Sequence, residues 1–177
     1  QAEKDRLEAL SENRLSELPD GFGSLTQLKT LLLRSNALTR LPEGLGALCD
    51  LEDLDVSRNR LTALPASLGQ CASIRSLQVH HNDLTELPDT VGGCRTLMSL
   101  NACRNALTSL PESLASLTTL TELDVSSNDL AVLPHTIDHL TGLVTVDLFD
   151  NLLPKPPKDV VFETDRDELK YYAKLAR

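Results

Sequence analysis

The segment HTIDH at 135–139 sets His135 and His139 four residues apart, with Asp138 between them. On a helix this spacing brings two imidazoles to one face, where they could hold a zinc ion. A second pair, His80 and His81, is adjacent in the chain. Strand geometry sends neighbouring side chains to opposite faces, so these two rings are expected to diverge and share no metal. Asp55, Asp124 and Asp147 recur at one position of a longer pattern, and grouped carboxylates can do acid–base chemistry. Gln78 and Asn101 fill that position between them, which argues against a catalytic set. At the position of His135, other copies of the pattern carry Glu112 and Asp89, so exposed histidines are expected there. No nucleophile pairs with a base, no CxxC occurs, and Gly92-Gly93 is isolated rather than part of a phosphate loop. The expectation is no enzyme, no metal and no cofactor.

The thiols point the same way. Cys71 and Cys94 stand where neighbouring copies have Leu48 and Leu117, the place of a small buried hydrophobe. Cys49 and Cys103 have no evident partner. A reducing, cytoplasmic setting is expected, with a bridge between the stacked Cys71 and Cys94 as the lesser alternative.

The pattern itself has a period of 23. Asn falls at Asn13, Asn36, Asn59, Asn82, Asn105, Asn128 and Asn151. Pro follows at Pro19, Pro42, Pro65, Pro88, Pro111, Pro134 and Pro157. A period between about 20 and 50 signals a solenoid, a propeller or an array. The consensus LxxLxLxxNxLxxLPxxLxxLxx, over about residues 5–157, resembles that of leucine-rich repeats.

Each part of the consensus has a physical reason. LDVSR at 54–58 alternates apolar and polar residues, as a half-buried strand does. Parallel stacking of such strands gives a ladder roughly 30 Å long. The chain then turns inward and buries backbone polar groups that are costly to leave bare. Asn offers two donors and one acceptor, so a ladder of Asn side chains can satisfy them. Pro fixes φ for the return, which is too short for a long helix; short helical or 3-10 turns such as ASLGQC at 66–71 are expected. No copy buries its leucines alone, so stability comes from neighbours. The expected fold is an α/β solenoid: a curved right-handed coil with a parallel concave sheet and a C-terminal capping helix.

Both ends depart from the rule. Asp5 and Glu8 occupy positions that are Leu elsewhere, which suits a terminal turn facing water or an array whose earlier repeats are missing. The chain lacks an initiator Met and reads as an excised or processed piece. After NLLPKPPKDVVF, Thr164 and Asp167 resemble a capping box, and Leu169, Tyr172, Ala173 and Ala176 share a helical face. The domain reading is an array over 1–157 of about seven repeats, the first partial, and a capping segment over 158–177.

The LPxxLxxL repeat resembles the intracellular Ras-group leucine-rich repeats, of the Ras-suppressor and Ras–Raf scaffold type. NLLPKPPKDV followed by a Tyr-bearing helix is similar to the way those arrays end. The secreted receptor type, capped by Cys clusters, fits poorly. The resemblance implies a protein-interaction scaffold in intracellular signalling, a small GTPase or phosphatase as partner, and no catalysis. The alternative is the substrate-recognition part of a larger enzyme, such as a ubiquitin ligase, a kinase or a Roco-type GTPase.

The register names the exposed sheet residues. Counting from the first Leu of each copy, the third, fifth, seventh and eighth residues face the concave side or its rim. Arg58, His80, His81 and Arg104 form a band across the middle, with Arg34 before it and Cys103 within it. Glu122, Asp124 and Asp147 form an acidic field, joined by Asp150. Gln78, Asn101 and Asp55 lie in the fifth row, where Leu32 is apolar; Phe149 is an apolar outlier in the seventh. Exposed Phe and Arg suit interface anchors, and opposed charge fields orient a partner.

Charge and composition exclude other classes. Net charge is −9, against the clustered Lys and Arg that nucleic acid or anionic lipid requires. No apolar run approaches the roughly 20 residues of a membrane span. Aromatic residues make up 3%, so leucine must fill the core. A monomer is expected.

Overall fold

The computed structural model describes residues 6–7, 10–157, 160 and 162–176. Asp5 and Glu8 lie outside the described residues, as does part of the expected terminal segment. Among the described residues seven strands form one parallel sheet in sequence order. They are β1 (Arg6–Leu7), β2 (Thr30–Leu32), β3 (Asp53–Asp55), β4 (Ser76–Gln78), β5 (Ser99–Asn101), β6 (Glu122–Asp124) and β7 (Thr145–Asp147). Register runs Leu31 to Leu54, Leu77, Leu100, Leu123 and Val146, one residue per coil. The chain is thus a right-handed solenoid with its sheet on the concave side.

Leucine rows make the core. Leu31, Leu54, Leu77, Leu100 and Leu123 are all at most 2% exposed. Burying each such side chain is worth about 1.5–3 kcal/mol relative to exposure. Cys71 and Cys94 are fully buried among these rows, as small hydrophobes. Their thiols donate to the Leu45 and Leu68 carbonyls of the preceding coils at 3.4 Å, and no disulfide links them.

The asparagines bind coil to coil. Asn82 Oδ1 accepts from Leu61 N at 2.9 Å, while its Nδ2 donates to Val56 O at 3.1 Å and Val79 O at 3.0 Å. Asn36, Asn59, Asn105, Asn128 and Asn151 repeat this pattern. Asn13, on the first coil, is exposed and donates to Ser11 O at 2.9 Å.

Proline sets the return. Pro65, at φ −66° and ψ 143°, precedes the 3-10 turn Ala66–Gln70 and accepts from Leu68 N at 3.0 Å. Equivalent prolines open the turns Asp20–Ser24, Glu43–Ala47, Asp89–Gly93 and Glu112–Ser116. Gly92, isolated in the sequence and no part of a phosphate loop, has a packing role here. A Cβ on it would collide with the Ser113 carbonyl of the next turn, so the missing side chain lets the convex turns stack closely.

One helix, α1 (Asp165–Leu175), closes the far end. Thr164 caps it, accepting from Asp167 N at 3.2 Å. Leu169, Tyr172 and Ala173 are its buried face, packed on the last coil, and Tyr172 Oη donates to Pro154 O at 3.3 Å. Ala176 is half-buried. Among the described residues no helix is long and apolar enough to cross a membrane.

Candidate functional site

Sheet residues face the concave side as the register implies, but the turn that follows reshapes the rim. The eighth residue of every copy, from Glu12 to Asp150, is left-handed, with φ between 52° and 58°. None is glycine, although this region costs most side chains energy. The backbone is held there by the ladder itself. Ser35 N donates to Ser57 O, Arg58 N to His80 O, His81 N to Cys103 O and Arg104 N to Ser126 O, at 2.9–3.0 Å.

This turn overturns one sequence expectation. His81 does not continue the strand, so its ring does not point away from His80. The left-handed φ of 54° swings it back, and the two Nδ1 atoms stand 2.8 Å apart. The rings meet edge to face, with centroids 5.0 Å apart. Cys103, next to His80 in the seventh row, completes a group whose ligand-type atoms lie within 4.8 Å of one another. All three side chains are half-buried. Adjacency in the chain was the only sequence signal for the pair, and the strand rule misread it.

Burial, opposed by Asp55 and assisted by Arg34 and Arg58, holds His80 below the ordinary histidine value. Burial also lowers His81, with Arg58, His80 and Arg104 adding to it. The Cys103 thiol is pushed up to about 11, mainly by burial and then by the Asp124 carboxylate.

The fifth row has a structural duty that variation between copies had concealed. Asp55 Oδ1 accepts from Ser57 N at 2.9 Å, and Asp147 Oδ1 from Phe149 N at 2.9 Å. Asn101 and Asp124 do likewise, accepting from Cys103 N at 3.1 Å and Ser126 N at 3.0 Å. Each is an Asx turn that closes the end of its strand. The recurrence of Asp or Asn at this position was the available sequence signal. Gln78 is one atom group too long for it and reaches Ser76 Oγ at 3.4 Å instead.

Charge divides the concave side. Arg34, Arg58 and Arg104 are exposed on the second, third and fifth coils. Farther along, Glu122, Asp124 and Asp147 line a hollow with Gln78, Ser99 and Asn101. Phe149, 79% exposed, lines a second hollow together with Leu153, Lys155 and, from the terminal helix, Glu168 and Tyr172. Leu32 is half-buried. Ser57 is an exception in the seventh row: it is fully buried, a short side chain between Arg34 and His80 of the adjacent coils.

The HTIDH segment forms no ligand pair. Its 3-10 turn is only Ile137–His139, so the helical face that would unite the rings does not exist. His135 Nδ1 instead meets Glu112 Oε1 of the preceding turn at 2.8 Å, and Thr136 Oγ1 donates to the other carboxylate oxygen. These contacts hold Glu112 below the ordinary carboxylate value, the Thr136 hydroxyl contributing most. His139 lies 3.9 Å from Asp138.

A family described as "Leucine rich repeat" matches residues 9–61, 26–84 and 95–153. No curated protein matches the chain. Among solved structures, the plant peptide hormone receptor RGFR1 in complex with RGF2 is similar, with a TM-score of 0.73 and 31% identity over 80% of this chain and 24% of that one. The ectodomain of the plant membrane receptor kinase GASSHO1/SCHENGEN3 from Arabidopsis thaliana, in complex with CASPARIAN STRIP INTEGRITY FACTOR 2, gives 0.72 and 32% over 77% and 17%. PEPR1–AtPEP1 gives 0.72 and 29% over 77% and 20%. The chain thus spans about a quarter or less of each of these proteins' length.

Proposed function

The chain belongs to the leucine-rich repeat family, and on that premise we propose that its concave sheet binds another protein, as a scaffold or adaptor in intracellular signalling. The observation that carries this reading is the concave surface itself: exposed Arg58 and Arg104 on one side, Glu122 and Asp147 on the other, and Phe149 beyond them. Arginine and an exposed aromatic ring are favoured anchors, and a divided field fixes a partner's orientation. A neighbour described as a peptide hormone receptor is in keeping with a polypeptide ligand on an array of this kind.

The finer parts rest on other support. The Ras-group form of the LPxxLxxL repeat favours a small GTPase or a phosphatase as partner. Free thiols at Cys49, Cys71, Cys94 and Cys103 favour a reducing, cytoplasmic setting. The chain acts as a monomer and as a binding module without catalysis. A second reading, the recognition part of a longer enzyme such as a ubiquitin ligase, kinase or Roco-type GTPase, draws on the small share of its neighbours that the chain spans.

The test is affinity capture from native lysate, read by mass spectrometry. Arg58→Glu combined with Arg104→Glu is expected to lose the partner while keeping the native melting temperature. Equal recovery by the double variant would move the site to the convex turns or the terminal helix.

A further inference from the structure

We propose that His80, His81 and Cys103 form a zinc site on the concave rim, with a fourth position left to water. The proposal goes beyond protein binding and does not depend on it.

The donor set comes first. Two imidazoles and a thiol match the ligands zinc takes, whereas calcium and magnesium take oxygen. A zinc ion about 2.0–2.1 Å from nitrogen and about 2.3 Å from sulfur holds its ligand atoms about 3.3–3.6 Å apart. The three ligand-type atoms already lie within 4.8 Å of one another, so side-chain rotations that part the two Nδ1 atoms from 2.8 Å and adjust the sulfur complete the set. Among the described residues no other group of three or more such side chains is gathered in this way.

Preorganisation comes from the backbone. His80 and Cys103 occupy the same row of adjacent coils, and His81 N donates to Cys103 O at 2.9 Å, tying the two coils at this point. The left-handed turn at His81 brings its ring onto His80. Without an ion, the 2.8 Å contact is one hydrogen bond, so one Nδ1 carries a proton and the other accepts it. When zinc binds, that ring shifts its proton to Nε2, and both Nδ1 lone pairs face the metal. The Cys103 S–H bond breaks, a sulfur–zinc bond forms, and one proton passes to solvent for each ion bound.

Charge around the site is mixed. Arg34, Arg58 and Arg104 oppose a cation, while Asp55 and Asp124 favour it. The Cys103 thiolate contributes a further negative charge once formed.

Calorimetric titration of the reduced chain with zinc, and absorption spectra with cobalt as a reporter, test the site. The expected result is one ion per chain, one proton released, and a cobalt–thiolate charge-transfer band. The band should vanish in Cys103→Ser. Affinity should fall in His80→Ala and in His81→Asn by more than the roughly 10–100-fold that follows loss of an outer partner. His81→Asn is chosen because Asn tolerates the left-handed turn. Cys49→Ser and His135→Ala should bind as the native chain does. Absence of uptake by the native chain, unchanged affinity in both histidine variants, or loss of the band in Cys49→Ser would overturn the proposal. If Cys103→Ser fails to fold, the two histidine variants decide the matter by themselves.

Discussion

The backbone N–H of Val146 donates to Asp165 Oδ2 at 2.9 Å. Val146 lies on β7, the edge strand of the sheet among the described residues. The first residue of α1 thus supplies an acceptor at this edge of the described sheet, and Leu169, Tyr172 and Ala173 of the helix cover the leucine core below it. An unpaired edge is a template for association with another chain.

Asp165→Ala is expected to lower stability by about 1–2 kcal/mol, from the lost charged acceptor and the lost acid at a helix N-terminus. Asp165→Asn should recover part of this, because its amide oxygen still accepts. Urea denaturation reads the loss, and size-exclusion chromatography at high concentration should show self-association in the Ala variant.

Asn82→Ala removes an acceptor for Leu61 N and a donor to Val56 O and Val79 O in a buried position. A cost of about 2–4 kcal/mol is expected, since buried backbone groups lose their partners. An unchanged melting temperature would contradict a supporting role for the asparagine row.

Ser35 has φ 56°, yet it is not glycine. Ser35→Gly should raise stability by up to about 1 kcal/mol, and Ser35→Val should lower it by about 1–2 kcal/mol, because a β-branched side chain is strained in the left-handed region. Paired chemical melts of the two variants give the sign directly.

Burial pushes Cys71 up to about 11 and Cys94 up to about 12, from an ordinary 9.0. The native chain keeps these protons after the unfolded chain has released them. This contribution to stability is whole below the ordinary thiol value and declines as pH rises through the native values. The urea midpoint should therefore hold up to about pH 9 and fall between about pH 9 and about pH 12. At neutral pH, iodoacetamide should label exposed Cys49 in the native state and reach Cys71 and Cys94 only on unfolding.

Much of the architecture was legible because the physical demands repeat with the coil. Leu54, Asn59 and Pro65 each meet a requirement that recurs every 23 residues, so their spacing alone exposes the strand, the inward turn and the return. The rim was less legible. The rule that successive residues alternate faces holds only while φ and ψ stay extended, and the chain leaves that region at His81. The Asx turns at Asp55, Asn101, Asp124 and Asp147 were hidden for another reason: an acid on an exposed row reads as solvated charge unless its own backbone partner is seen.

The sequence by itself determined the period, the identity of the buried rows and the order of the strands, because hydrophobic burial and backbone satisfaction depend on residue type at each position. Only the tertiary structure decided which rim side chains meet. Whether His80 faces His81, whether Cys103 joins them, and whether Asp165 reaches Val146 depend on backbone dihedrals and on the stacking of coils distant in the chain, which residue type leaves open.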